Sequence, residues 1–384
     1  MNFNLPNTMR RHPLLAGFLA VLSLWVLLSS NTTAQATESN TLSPSPLSDW
    51  QDVIRQSPYW VSQGMHSNLL TIRRWVLNGE AFCENPDRHV FFDRRAAFLG
   101  YIDNGEDSAE TQTRLNDQRQ QWASNAQVAD WSAGEDGRVG YPFALNCNQP
   151  DARLQESLAR YTSTDESARL WRTWDGLALG TESESISLHD AIRQTYEYWV
   201  GRGRISMPPE VLSTLAGKTI IESGGLRESH SAAGARGIMQ LSPAALSDCE
   251  LAERFYFHRM AQIDCALSLL EQNHRNLRPT FDATFGHLPE DKADTLYSLL
   301  LLQAYHGGVQ RIQRLMTDES LNGATQYFVQ HHELFTAEDI ALGMIYHNLG
   351  RDQFGFASLY YVTDVSIAKE FACAAVTDLA GCPR

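Results

Sequence analysis

The sequence predicts a mainly α protein in two parts behind an N-terminal leader, and three observations carry that prediction. Apolar residues recur at helical spacing in 66–78, where Leu69, Leu70, Ile72, Trp75 and Val76 share one side. The stretch from Thr295 to Tyr305 is apolar almost throughout, as a buried central helix requires. Start and stop residues bracket such segments: Ser187 with Asp190, Ser242-Pro243, Gly224-Gly225 and Gly307-Gly308.

Taken in order, residues 1–36 have the make-up of a secretory signal. Arg10-Arg11 are the positive start, Leu14 to Leu28 the apolar core, and Ala34-Gln35-Ala36 a small-x-small cleavage site. An uncleaved membrane anchor is the alternative; the apolar run is short for a span, which favours cleavage. Residues 37–47 are rich in Ser, Thr and Pro and read as a flexible leader. The composition, 43% hydrophobic and 20% charged over 384 residues, fits a globular protein long enough for two domains. A net charge of −14 argues against nucleic acid as a partner, since no basic patch offers to neutralise phosphates.

Residues 37–200 are expected to form an N-terminal domain, mostly helical and of unknown fold and function. Helices are predicted at 48–57, 66–78, 151–161 and Leu188 to Val200, the last capped by Ser187 with Asp190 completing a capping box. The stretch 103–140 is polar and turn-rich. Within it Asp103-Asn104-Gly105-Glu106-Asp107 fails the spacing of a calcium loop and reads as solvated. The tryptophans between Trp50 and Trp199 are expected chiefly in the core, with stacking on sugar rings as the alternative. A wall or envelope protein is the partner class left open to this half.

Residues 201–384 are expected to form a second domain of consecutive helices. Pro208, Pro209 and Glu210 suit a first turn, and nothing breaks the helix before Gly224-Gly225. Val211, Leu215 and Glu222 fall on one line of it, so an apolar stripe ends in a carboxylic acid. Such a carboxyl is poorly solvated when ionised, its pKa should rise, and it could then donate a proton near neutral pH. A solvated Glu at a helix end is the commoner alternative. Further helices are predicted from Pro243 to about Cys249, from an Asp264 cap to about Asn273, and at 295–305, 309–316, 337–348 and 358–371.

Cys83, Cys147, Cys249, Cys265, Cys373 and Cys382 are an even set in a chain expected to be exported, which suggests disulfides. Several pairings satisfy the count; sequential pairing is the simplest. None lies in a C-x-x-C, so a zinc ribbon or redox motif is not indicated.

Four segments in order carry a resemblance. They are Glu222-Ser223, then Gly234-Ala235-Arg236-Gly237-Ile238-Met239-Gln240-Leu241-x-Pro243, then Ala304-Tyr305-His306-Gly307-Gly308, and Phe354-Gly355-Phe356-Ala357-Ser358 with Tyr361 beyond it. Over roughly 205–370 this resembles the SLT family of lytic transglycosylases. The resemblance implies a lysozyme-like helical catalytic domain acting on the glycan strands of peptidoglycan, with neither metal nor organic cofactor. Glu222 would be the single acid/base. Ser223 would orient its carboxyl, Met239 and Gln240 would line the cleft, and Tyr305, with Tyr361 as an aromatic partner, would sit near the acid. His306 stands where the family pattern has Asn, so its role is not inherited.

Other chemistries are not supported. His331-His332-Glu333 is not H-E-x-x-H, Ser223 has no G-x-S-x-G elbow, and no phosphate-binding glycine motif is present. His230 and His306 lie near the proposed cleft, where a lone His is more often structural. Two alternatives remain: a lysozyme-like muramidase with Glu228 or a distant carboxylate activating water, and a non-catalytic wall-binding relative.

Overall fold

The computed structural model describes residues 49–149, 154–163 and 169–382; the leader expected over 1–47 lies outside the described residues. The chain is mainly helical, as expected. It opens with α1 (Trp50–Gln56), capped by Asp49, and α2 (Met65–Asn78), which Gly79 ends in the left-handed region at φ 65°. Then comes an unpredicted sheet. Strands β1 (Arg88–Phe92), β2 (Phe98–Asp103) and β3 (Phe143–Asn146) pair antiparallel in the order β2-β1-β3, Val90 lying opposite Tyr101 and Leu145. The central strand buries Val90, Phe91 and Phe92 on both faces, so its sequence has no alternation to betray it.

The turn-rich reading of 103–140 is corrected in part. Ser108–Ser124 is a helix, α3, whose Asp107 cap accepts from the Glu110 amide at 2.8 Å. Its buried stripe is Leu115, Arg119 and Ala123, and the arginine hides the periodicity. Arg119 donates to the Pro142 carbonyl at 2.9 Å with its guanidinium over the Phe91 ring. After α4 (Leu154–Thr162), β4 (Arg172–Trp174) and β5 (Leu177–Leu179) form a hairpin about Asp175-Gly176, both at positive φ. Helix α5 (Leu188–Gly201) has the predicted Ser187 cap, whose Oγ accepts from the Asp190 amide at 2.9 Å; the Asp190 carboxylate takes the Ser187 hydroxyl at 2.6 Å, in place of the backbone N–H that a capping box would use.

Helix α6 (Val211–Glu222) begins just after Pro208, Pro209 and Glu210 rather than on them. It ends where expected, with Gly224 and Gly225 at φ 57° and 74°. Short α7 (Pro243–Asp248) follows its Ser242 cap. The next helix, α8 (Arg259–Phe285), starts at a His258 cap, so Asp264 is interior to it and accepts from Trp174 Nε1 at 2.9 Å. The chain closes with α9 (Glu290–Gly307), α10 (Val309–Thr317), α11 (Gly323–Gln330), α12 (Ala337–Tyr346) and α13 (Phe356–Ala375).

One hydrophobic core takes in Val53, Leu69 and Phe92 together with Leu215, Leu300, Ile345 and Ile367, so packing runs through residue 200 without a break. The most extensive helix contact is α6 on α13. Gly217 makes it so close: a Cβ there would lie 2.5 Å from the Val365 carbonyl oxygen. Bridges join Cys83–Cys147, Cys249–Cys265 and Cys373–Cys382, the sequential pairing. Such bonds form and persist in oxidising compartments. No helix among the described residues is long and apolar enough to cross a membrane.

Candidate active site

Glu222 is the last residue of α6, its side chain 20% exposed at one wall of a cleft of about 940 Å³. The cleft is also lined by Gln240, Tyr305, His306, Arg311, Asp248 and Asp352, among others. The carboxyl is oriented from across the helix pair: Tyr361 on α13 donates its hydroxyl to Glu222 Oε1 at 2.9 Å. Burial pushes the Tyr361 phenol well above its ordinary pKa, so it stays a donor. Tyr361 in turn stacks on His306, centroids 4.1 Å apart and planes at 21°. Burial lowers the His306 pKa, which keeps its imidazole neutral and leaves one ring N–H to give.

A lysine sits beneath the acid. Lys218, one turn earlier on α6, is 1% exposed, with Nζ 3.8 Å from Glu222 Oε1 and donating to the Met239 carbonyl at 2.9 Å. The same ammonium lies 4.1 Å from the centre of the Tyr305 ring. Burial lowers the Lys218 pKa, opposed by the neighbouring carboxylate. Lys218 is thus pinned between the Met239 carbonyl and the Glu222 carboxyl, within ion-pair distance of the latter. Glu222 is therefore a paired acid at a cleft edge, not the isolated end of an apolar stripe.

The glycine-rich segment is built for close approach. Gly237 adopts φ 74°, and a Cβ there would collide with the Gln262 side chain at 2.5 Å. Gln262, wholly buried on α8, accepts from the Met239 amide at 3.1 Å. Gln240 is held at φ 45°, its side-chain Nε2 donating to the Gly237 carbonyl at 2.9 Å. That strained backbone aims Gln240 into the cleft.

Of the six residues expected to meet substrate, Gln240, Tyr305 and His306 line the cleft. Tyr361 reaches it through the acid. Met239 is fully buried, its sulfur 3.5 Å from Thr219 Oγ1. Ser223 Oγ donates to the Ile238 carbonyl at 2.6 Å and accepts from the Gly225 amide at 3.1 Å. It fastens the helix end to the glycine-rich segment; orienting the carboxyl falls to Tyr361. Glu228 is exposed and does not line the cleft, and exposed His230 packs on Phe257.

Sequence reasoning passed over Lys218, Asp248 and Asp352. Lys218 could have been found from its i, i+4 spacing to Glu222. Asp248 closes the helix after the glycine-rich signature, and Asp352 precedes Phe354 by two residues. Asp352 Oδ1 accepts from Arg314 at 2.7 Å. Among the described residues no group of three or more His, Cys, Asp or Glu is placed to hold a metal ion. No protein-family model matches the chain, and no curated protein matches it.

Proposed function

We propose that this protein is a peptidoglycan lytic transglycosylase with a lysozyme-like catalytic domain, exported after cleavage of its leader near Ala36. The observation that carries the reading is the Glu222 carboxyl, gripped by Tyr361 at 2.9 Å at the wall of a cleft of about 940 Å³. Glu222 gives its proton to the oxygen joining N-acetylmuramic acid to N-acetylglucosamine, and that C–O bond breaks. The substrate's own N-acetyl oxygen covers C1 as the leaving group departs, a route that needs no second carboxylate. Glu222 then takes the proton from the C6 hydroxyl, whose oxygen bonds to C1 as the bond from C1 to the acetyl oxygen breaks, restoring the N-acetyl group and closing a 1,6-anhydro ring. Tyr361 and Lys218 stabilise the carboxylate that exists between the two steps. Three disulfides and the N-terminal signal pattern support a periplasmic or extracellular setting.

A muramidase is the second reading, favoured by one observation: Asp248 and Asp352 line the same cleft as Glu222. Either is a better candidate than Glu228 for activating water. Replacement of the acid tests both readings together. Glu222→Gln keeps the shape but cannot donate a proton, so release of soluble fragments from wall sacculi should fall about 10²–10⁴-fold with the fold retained. A variant that digests sacculi at the wild-type rate removes Glu222 from the reaction.

A further inference from the structure

Residues 37–200 were expected to form a separate domain of unknown function, yet this part of the chain grips both carriers of the catalytic pair. On α4, Arg160 donates through Nε to the carbonyl of Gly224, two residues beyond Glu222, at 2.5 Å. That turn has no room of its own: a Cβ on Gly224 would meet Ser157 Oγ at 2.5 Å, and one on Gly225 would meet the Arg160 Cβ at 3.2 Å. The end of the acid-bearing helix is thus seated in α4.

On α2, Arg73 makes a bidentate pair with Asp364, both bonds 2.6 Å, with side chains only 6% and 11% exposed. Asp364 lies one helical turn after Tyr361 on α13. The Arg73 guanidinium also sits 4.9 Å over the ring of Tyr360. The start of α13 is held the same way, Phe356 packing against Trp50 at 5.3 Å and Phe143 at 4.9 Å. Sliding or rotating α13 would break a buried ion pair, which is strongly unfavourable.

We infer that the N-terminal half is a brace for the proposed active site, in which Arg160 and Arg73 are positioning residues that fix Glu222 against Tyr361. The inference rests on the proposed acid chemistry for its kinetic consequence, but not for its mechanical one. Neither arginine lines the cleft, so their removal should leave substrate affinity alone and lower the chemical step.

The test uses the full-length protein in two variants. Arg160→Met keeps the aliphatic stem and loses the donor. Arg73→Met combined with Asp364→Leu removes both buried charges together, a change that commonly preserves folding. Hydrogen exchange should accelerate in 223–226 for the first and 358–364 for the second, with the sheet strands unaltered. On soluble glycan strands kcat should fall about tenfold or more with KM within about twofold. Arg160→Lys, which restores a donor, should recover most of the rate. Unchanged exchange in both segments overturns the brace, as does activity that falls only in proportion to lost folded protein. Accelerated exchange in a protein whose wild type never releases fragments keeps the brace and removes the enzymatic reading instead.

Discussion

Replacing Tyr361 by Phe deletes one hydroxyl and nothing else from the pair that defines the site. The ring stays, and with it the stacking on His306 at 4.1 Å. What goes is the 2.9 Å donation to Glu222 Oε1. A hydrogen bond to a neutral acceptor contributes about 0.5–1.5 kcal/mol and one to a charged acceptor about 1.5–3. In the proposed mechanism Glu222 becomes a carboxylate as it gives up its proton, so the bond would strengthen by about 1–1.5 kcal/mol on the way to the transition state. That difference is about five- to tenfold in kcat. Stability should barely move, because the Glu222 side chain is 20% exposed and water can take the vacated donor position. Initial rates of soluble-fragment release, with thermal melts in parallel, measure both quantities. A wild-type rate would refute the claim that Tyr361 supports the carboxylate. A loss beyond about a thousandfold would refute it too, since a hydroxyl that only stabilises a charge is not worth that much.

Other outcomes follow from packing. Burial holds the His347 pKa down at about 3 against an ordinary 6.5, with the ring beside Ser62 Oγ at 3.2 Å and edge-on to Tyr59 at 4.8 Å. The folded ring stays neutral while the unfolded chain takes a proton below pH 6.5, so its contribution is complete above 6.5 and is lost as pH falls towards 3. At pH 5 the loss is about 2 kcal/mol; melts at pH 7 and 5 should show His347→Gln with a flatter decline, and an equal decline would contradict the assignment. Gly217→Ala should destabilise by about 1–3 kcal/mol despite alanine's better helix propensity, because its Cβ meets the Val365 carbonyl at 2.5 Å. Fragment release should fall with it as α13 is pushed from α6; a more stable variant would mean that this contact is slack.

Much of the helical framework was legible because helix ends are local. Ser187 with Asp190, Ser242-Pro243 and Gly224-Gly225 act on their own neighbours, and each element ends where those residues put it. The strands were not legible: Val90, Phe91 and Phe92 are buried on both faces and read as any short apolar run. Helix α3 was missed because its buried stripe includes Arg119, and Asp264 was misplaced because its partner, Trp174, is 90 residues away. The site divides the same way. Glu222 stood out from its own helix, whereas Tyr361 donates to it across 139 residues, a pairing no local pattern records. The carboxylates Asp248 and Asp352 are brought to the cleft by tertiary structure alone.

The reading of the site as a transglycosylase turns on what attacks C1 once Glu222 has protonated the leaving oxygen. The C6 hydroxyl is tethered to the same sugar and wins by proximity unless a second carboxylate delivers water. Mass analysis of the soluble fragments from wall sacculi, before and after borohydride treatment, distinguishes the two directly. Products with 1,6-anhydromuramic ends, one water lighter than hydrolytic fragments and resistant to reduction, are the predicted result. Predominantly reducible muramic ends would contradict it and make Asp248 and Asp352 the residues through which water is activated.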